Sequence, residues 1–322
     1  MTRLVHAGSA VVDYVYRIDT LPMPGAEKVA ASYARVAGGG FNMMVAAART
    51  GMNVVFVGQH GTGPDGDFLR AALAAEEIET LAPRSAELDT GNCVVIITND
   101  AERTFVSWPG AEGRLDASAM KPVALKGDDW VFSSGYTLSY PGSRKALADW
   151  IAALPATIPF VFDPTPVVSE IPIAILSRVL SRTTWLSCNT TEATAIAGSA
   201  EIATNAERLL SDFCPGAAGV VIRSGAAGAF LRLRDGTSQD VPGFAVNAID
   251  TNGAGDTHIG AFVSALARAM PPFDAVRYAN AAAAISVTRH GGSSAPTHFE
   301  IQGFLAERAA EAPEREAEKI ND

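Results

Sequence analysis

The chain alternates short, almost wholly apolar runs with longer segments whose apolar positions recur every three or four residues. The runs "RLVHAG" (3–8), "NVVFVG" (53–58), "DWVFSSG" (129–135), "PFVFDP" (159–164), "TTWLSC" (183–188) and "GVVIRSG" (219–225) predict strands. Helical spacing fills 41–51, 66–76, 142–153, 173–181 and 203–213, and later 255–269, 273–289 and 298–309. Strands apolar on both faces and separated by helices predict an α/β fold with a mainly parallel central sheet, covered on both sides. Such sheets bind ligands beyond the carboxyl ends of their strands, which directs attention to the residues that close each apolar run.

Residues 11–36 and 91–107 follow a different rhythm. They alternate apolar and polar positions, with turn residues at Pro22-Met23-Pro24-Gly25 and Asn99-Asp100. That pattern predicts antiparallel strands with one wet face, a small β-sheet lid standing off the core. No repeat or long linker interrupts the rest. Residues 1–310 are therefore expected to form a single domain, followed by a solvated, frayed tail at 311–322.

With 322 residues, 48% hydrophobic and 19% charged, the chain has ample material for a large core. Its net charge, 25 − 35 = −10, argues against nucleic-acid or anionic-membrane partners. Phosphate must then be held by a local device such as a helix N-terminus. Cys93, Cys188 and Cys214 are odd in number and lack CxxC spacing, which favours reduced thiols and a cytoplasmic protein over disulfides or a zinc knuckle. The opening residues do not read as a signal peptide, and no run of about 18 apolar residues reads as a membrane span.

Several short stretches carry candidate chemistry. "GTGPDG" (61–66) imitates a dinucleotide fingerprint, but Gln59 and His60 separate it from its strand and Pro64 stiffens the turn. It reads as a βα turn capped by Asp65. In "AIDTNGAGDTHIGAFVSALARA" (248–269), Gly253, Ala254 and Gly255 precede an apolar helix, where backbone amides lack partners and small side chains admit an anion. Asp256 in the first turn is suited to a general base; an ordinary helix start with an acidic cap remains the alternative. In "AGGGFNMMVAAARTG" (37–51), bare backbone beside Asn42 suits a polyol, and Asp13 is able to clamp a hydroxyl pair. A glycine turn with Asn42 as cap fits the same residues. Asn189 and Glu192 share a helix face and suit a hydrated Mg²⁺ or, equally, a capping box. "IRSGAAGAFL" (222–231) reads as a strand–turn–strand able to lie against a nucleotide. The Ala-rich helix from Tyr278 is slim enough to admit a flat base, and the Gly/Ser loop after it offers free carbonyls. His258 and His290 lie nearby without metal-site spacing, which favours structural or solvent roles.

Taken in order, these motifs resemble the ribokinase, or PfkB-type, family of carbohydrate and nucleoside kinases over residues 3–310. "DTNGAGDTHIGAF" is similar to the family's C-terminal signature. "GGGFNMMVAAARTG", running on to Gly61, is similar to the N-terminal one, with a departure at Met44 where a small residue is usual. The resemblance implies a ribokinase-like three-layer sandwich with a β lid, homodimerisation through that lid, and ATP-dependent phosphoryl transfer with Mg²⁺. It assigns Asp256 as the base and Gly253, Ala254 and Gly255 as the anion hole. Asp13, Gly39 and Asn42 fall to the acceptor, with Tyr136 at the acceptor end and Arg103 reaching in from the lid. Asn189 and Glu192 fall to Mg²⁺, Glu192 through water, and Ser224, Gly225, Gly228 and Asn280 to the nucleotide. Many relatives bind K⁺, which here implicates Asp250, Asn252, Ser286, Gly291 and Ser294.

The acceptor is narrowed by departures. Val11 and Gly39 stand where ribokinases carry Asn and Lys, which argues against D-ribose. "DPTP" (163–166) lacks the Arg of ketodeoxygluconate kinases, while "SGY" (134–136) and "ERTF" (102–105) resemble uncharacterised bacterial sugar kinases. Phe41, Met43, Met44 and Tyr136 are expected to make the acceptor end more apolar than a bare sugar requires, although core packing is the plainer reading of the Met43-Met44 pair. The expected activity is transfer of the γ-phosphoryl group to a primary hydroxyl of a small sugar or sugar derivative. A nucleoside kinase of adenosine type is the alternative. An oxidoreductase lacks its fingerprint, and a non-catalytic sugar sensor has no use for Asp256.

Overall fold

A computed structural model describes every residue except Met1, Ala101, Asp116, Lys121, Pro122, Asn321 and Asp322; the side chains of 117 and 311–320 also lie outside it. Ala101 of the expected lid and the last two residues of the expected tail therefore go undescribed. The chain begins β1 (Arg3–His6), β2 (Ala10–Arg17), β3 (Ser32–Gly39), α1 (Gly40–Arg49), β4 (Asn53–Phe56), α2 (Pro64–Ala75), β5 (Glu79–Thr80). It continues β6 (Asn92–Ile97), β7 (Arg103–Trp108), α3 (Ala117–Met120), β8 (Trp130–Ser134), α4 (Gly135–Ser139), α5 (Arg144–Ala152), β9 (Phe160–Asp163). Next come α6 (Ile173–Arg182), β10 (Trp185–Asn189), α7 (Thr190–Ala197), α8 (Ile202–Arg208), β11 (Gly219–Arg223), β12 (Gly228–Leu233) and β13 (Ser238–Pro242). The chain closes with α9 (Ala254–Ala267), α10 (Pro272–Ser286) and α11 (His298–Ile320). The tail expected to fray is helical backbone as far as Ile320.

Nine strands form the central sheet in the order β13-β12-β11-β10-β9-β8-β1-β4-β5. All neighbours pair parallel except β11–β12 and β12–β13. Successive residues of one strand enter opposite cores, as the two-residue period of a strand demands. Leu4, Val54 and Phe56 pack with α1, α9 and α10 on one face. Val5, Val55 and Val131 pack with α5, α6 and α8 on the other. The three-layer α/β architecture is therefore the expected one. From β1 the order runs outward to β4 on one side and to β8 on the other, so the β1/β8 boundary is a topological switch point.

The lid is a separate sheet in the order β3-β2-β6-β7. Its outer pairs are antiparallel, as the alternation predicts, but the central β2–β6 pair is parallel. The reason is topological: each lid segment is its own hairpin inserted after a core strand, and the two meet side by side. The glycine-rich decoy is likewise structural. The Asp89 carboxylate accepts the amides of Asp65 (3.0 Å) and Gly66 (2.7 Å), leaving no anion site at the α2 N-terminus. Asp65, expected to cap this turn, instead accepts from the lid residue Tyr14 (2.6 Å) and pairs with Arg35.

Candidate active site

The α9 N-terminus is built from glycine for two independent reasons. Gly253 precedes the helix at φ 71°, where a side chain is strained. A Cβ there would also overlap the carbonyl oxygen of Gly292. No side chain caps this helix, and apart from a long contact of Ala254 N with Thr251 O (3.4 Å) its first amides are left to an anion. Gly292 in turn lies against the amides of Asn42 and Asn252, which brings the two signatures together. Asn42 Nδ2 approaches Asp256 Oδ2 at 3.4 Å, and Asn42 Oδ1 is buried without a partner among the described residues.

Asp256 is well placed electrostatically for proton transfer. Burial, reinforced by repulsion from Asp163, raises its pKa from an ordinary 3.8 to about 7. Asp13 on β2 is lifted to about 7 by desolvation alone. Its carboxylate covers Gly38, where any Cβ would collide with it. Gly39, at φ 59°, turns the chain from β3 into α1 beside Ser9 and Val11. Tyr136 opens α4, 38% exposed, and burial together with the charges of Asp256 and Asp163 keeps its phenol neutral. Phe41, Met43 and Met44 are buried in the core beneath α1. They do not make the acceptor end apolar, because the first turns of α1 point them away from the cleft and into the layer shared with α9.

On the other side of Asp256 lies a cavity of about 760 Å³ lined by Asn189, Gly225, Gly228, Gly255, His258 and Asn280 among others. Gly225 (φ 58°) and Gly228 (φ 101°) shape the turn between β11 and β12. Ser224 lies in that turn but outside the lining; its amide bonds Gly228 O at 2.8 Å. Asn280 is spent on structure, donating to Val241 O (2.9 Å) and Pro242 O (3.1 Å), with His258 Nε2 3.1 Å from its Oδ1. Burial, then the nearby Arg223, lowers the His258 pKa to about 3 and keeps it neutral.

Asn189 and Glu192 form the capping box that the sequence left as one of two readings. Asn189 Oδ1 accepts from Glu192 N (2.8 Å), and Glu192 Oε2 accepts from Asn189 N (2.8 Å). Glu192 is nevertheless buried and raised above the usual carboxylate range, by desolvation and then by Asp163. Asp163 is itself raised by burial. Two buried carboxylates thus meet one guanidinium, Arg223, 3.5 Å from Asp163 and 3.6 Å from Glu192. That excess negative charge fits a divalent cation, although these side chains form no ready-made cage for one.

The residues implicated in K⁺ binding are assembled from the loop before α9, the last residue of α10 and the loop after it. Ser294 Oγ donates to Ser286 O (3.0 Å), and Asp250 accepts from the amides of Asn252 (3.0 Å) and Gly291 (3.2 Å). The set fits a free monovalent cation poorly, because Asp250 already has its counter-charge. Arg103 of the lid donates to it at 2.5 Å and to Thr251 Oγ1 at 3.0 Å, and Arg17 stands 3.6 Å away. Burial would raise Asp250, but the two amides and Arg103 more than offset this and hold it below the usual range. Arg103 therefore latches the lid onto the signature loop and does not reach toward the acceptor as expected.

Asp163 and Arg223 were not singled out by the motif reading. Their signal was present: each is the charged residue closing an apolar strand, "FVFD" and "GVVIR", on the sheet edge where ligands bind.

The pfkB family carbohydrate kinase profile matches residues 1–298. The chain is 31% identical to the uncharacterized sugar kinase YegV of Escherichia coli (strain K12), covering 91% of each protein. It is 33% identical to the ribokinase of Haemophilus influenzae, over 92% of this chain and 96% of that one. The ribokinase structure from Giardia lamblia superposes with a TM-score of 0.82 at 25% identity, over 94% of this chain and 99% of that one. With its fold, its paired signatures and these relatives in agreement, the chain belongs to the pfkB family of carbohydrate kinases and is a phosphotransferase.

Proposed function

We propose that this protein is an ATP- and Mg²⁺-dependent kinase that transfers the γ-phosphoryl group to a primary hydroxyl of a small, uncharged sugar or sugar derivative. The observation that carries the reading is the Asn42–Asp256 approach at the uncapped α9 N-terminus, between the Asp13 cleft and the large cavity. Asp256 accepts the proton of the acceptor hydroxyl, whose oxygen bonds to the γ-phosphorus. The bond from that phosphorus to the β–γ bridging oxygen breaks, and ADP leaves. The amides of Gly253, Ala254 and Gly255 stabilise the charge on the transferring group. Bound Mg²⁺ supplies neutralisation of the phosphates, with Asn189, Asp163 and Glu192 as the residues suited to hold its water shell.

An uncharged acceptor is favoured by the charges near the cleft. Asp13 and Asp256 bring carboxyl groups to the cleft, while Arg35 is paired with Asp65 and Arg103 with Asp250. The nucleoside reading rests on Tyr136 alone among the residues that suggested it, because Phe41, Met43 and Met44 belong to the core. Three free, buried cysteines and the use of ATP favour the cytoplasm. The exposed Tyr33, Phe105, Val106 and Trp108 on the lid favour a homodimer through it, which light scattering tests. The decisive assay is ADP release with panels of neutral sugars, sugar phosphates and nucleosides. Turnover on sugar phosphates or nucleosides alone would overturn the acceptor assignment.

A further inference from the structure

Arg223 is a full charge in the driest part of the site, and its surroundings leave most of its hydrogen-bonding capacity unused. Its side chain is 12% exposed at the end of β11, in register with Asn189 on β10. Among the described residues its one short hydrogen bond runs from Nη1 to Ser187 Oγ, 2.7 Å. The carboxylates of Asp163 and Glu192 stand 3.5 and 3.6 Å from Nη2, well beyond the roughly 2.7–2.9 Å of a charge-assisted bond. A guanidinium has five N–H donors and is desolvated at a cost unless they are used. If Arg223 served only to neutralise the two acids, contact at hydrogen-bond length would be the stable arrangement.

Its position points elsewhere. Arg223 lines the same cavity as Gly225, Ala254 and Gly255. A Cβ built on Gly255 would lie 3.8 Å from its Nε and Nη2, within ordinary van der Waals range, so the guanidinium stands beside the first turn of α9 at the cavity wall. Backbone amides and a planar cationic fork then converge on one region from two sides. That donor set matches a phosphate better than a sugar, a base or a metal.

We infer that Arg223 is a phosphate-binding residue of this kinase, which turns its fork from Asp163 and Glu192 to the nucleotide's phosphate chain opposite the α9 amides. The departing guanidinium frees both carboxylates to face a divalent cation, so the two acids exchange one counter-charge for another when Mg²⁺ and nucleotide arrive together. This rests on the reading that the large cavity holds the nucleotide.

Calorimetric titration of wild type and Arg223→Gln with Mg²⁺ and a non-hydrolysable ATP analogue, and separately with adenosine, tests it. The variant should bind the analogue about tenfold or more weakly, the size of a lost charge-assisted contact, with adenosine affinity within about twofold of wild type. Unchanged analogue affinity, or adenosine affinity falling in step, overturns the assignment in favour of a structural role. Wild type that binds neither ligand sinks the cavity reading itself, a distinguishable failure. Should Arg223→Gln not fold, a crystal structure of wild type with the analogue and Mg²⁺ decides. A phosphate oxygen hydrogen-bonded to the guanidinium is the expected result; a guanidinium still facing Asp163 and Glu192 with no phosphate in reach overturns it.

Discussion

At the scale of single residues, the reaction rests on carboxylates that folding has made reluctant to ionise. Asp256 and Asp13 titrate near 7 against an ordinary 3.8, through burial. The free enzyme needs Asp256 as the anion, so kcat/KM should fall on the acid side of about pH 7. With Mg²⁺-nucleotide and its cationic partners in place, the corresponding kcat limb should lie at lower pH. A kcat/KM profile flat from pH 5 to pH 8 would remove Asp256 from the role of base. Stability carries the same signature with a definite sign. Between about pH 4 and pH 7 Asp13 and Asp256 hold more protons in the folded protein than in the unfolded chain. The stability these groups contribute is full below pH 4 and is lost as pH rises through 7. Asp256→Asn should flatten part of that slope in thermal melts of the unliganded protein, while lowering kcat by about 10²-fold or more. A mutant that turns over normally contradicts the base assignment.

Two elements turn these residues into a site: the signature loop before α9 and the lid. Gly253→Ala meets a positive φ and the Gly292 carbonyl together, and should cost about 1–3 kcal/mol in denaturant unfolding as well as turnover. The lid is held at its base by Glu112, which accepts from Gly91 and Gly110, each at 2.9 Å, and at its tip by Arg103 on Asp250. Arg103→Ala should leave the fold intact but raise the acceptor KM by roughly fivefold, as expected for a partly exposed charged contact. It should also increase ATP hydrolysis without acceptor, because closure excludes water. With Arg103 supplying the charge at Asp250, replacing K⁺ by a bulky organic cation should leave kcat/KM unchanged. A strict K⁺ requirement would mean that Arg103 leaves Asp250 in the working enzyme. These elements were readable in the chain because glycine clusters before apolar helices and alternation in strands are local patterns. The β2–β6 pairing and the Arg103 latch were not, since both join segments far apart in sequence, and no local pattern records which partner a lid arginine will find.

At the scale of the whole molecule, the sheet order brings chemistry from separate strands to one edge. Asp163, Asn189 and Arg223 end three neighbouring strands, and α9 aims its N-terminus at them from across the layer. The fold class and the mainly parallel core sheet followed from periodicity, because runs buried on both faces assemble that way, while the order of the strands is a long-range property that no local pattern records. The acceptor was less legible. Phe41 looked like a site residue in one dimension and proved to be core, as did Met43 and Met44, for which core packing is the plainer reading, since helical geometry decides which face they take. What remains at the cleft is polar and rich in carboxyl groups, and this supports the central claim of a neutral sugar acceptor. The most direct test is to incubate the enzyme with Mg²⁺-ATP and each candidate acceptor and to identify the product by mass spectrometry alongside ADP release. The account predicts a sugar monophosphate formed in step with ADP from at least one neutral sugar. Phosphorylation confined to nucleosides, or to sugars that already carry phosphate, would contradict it.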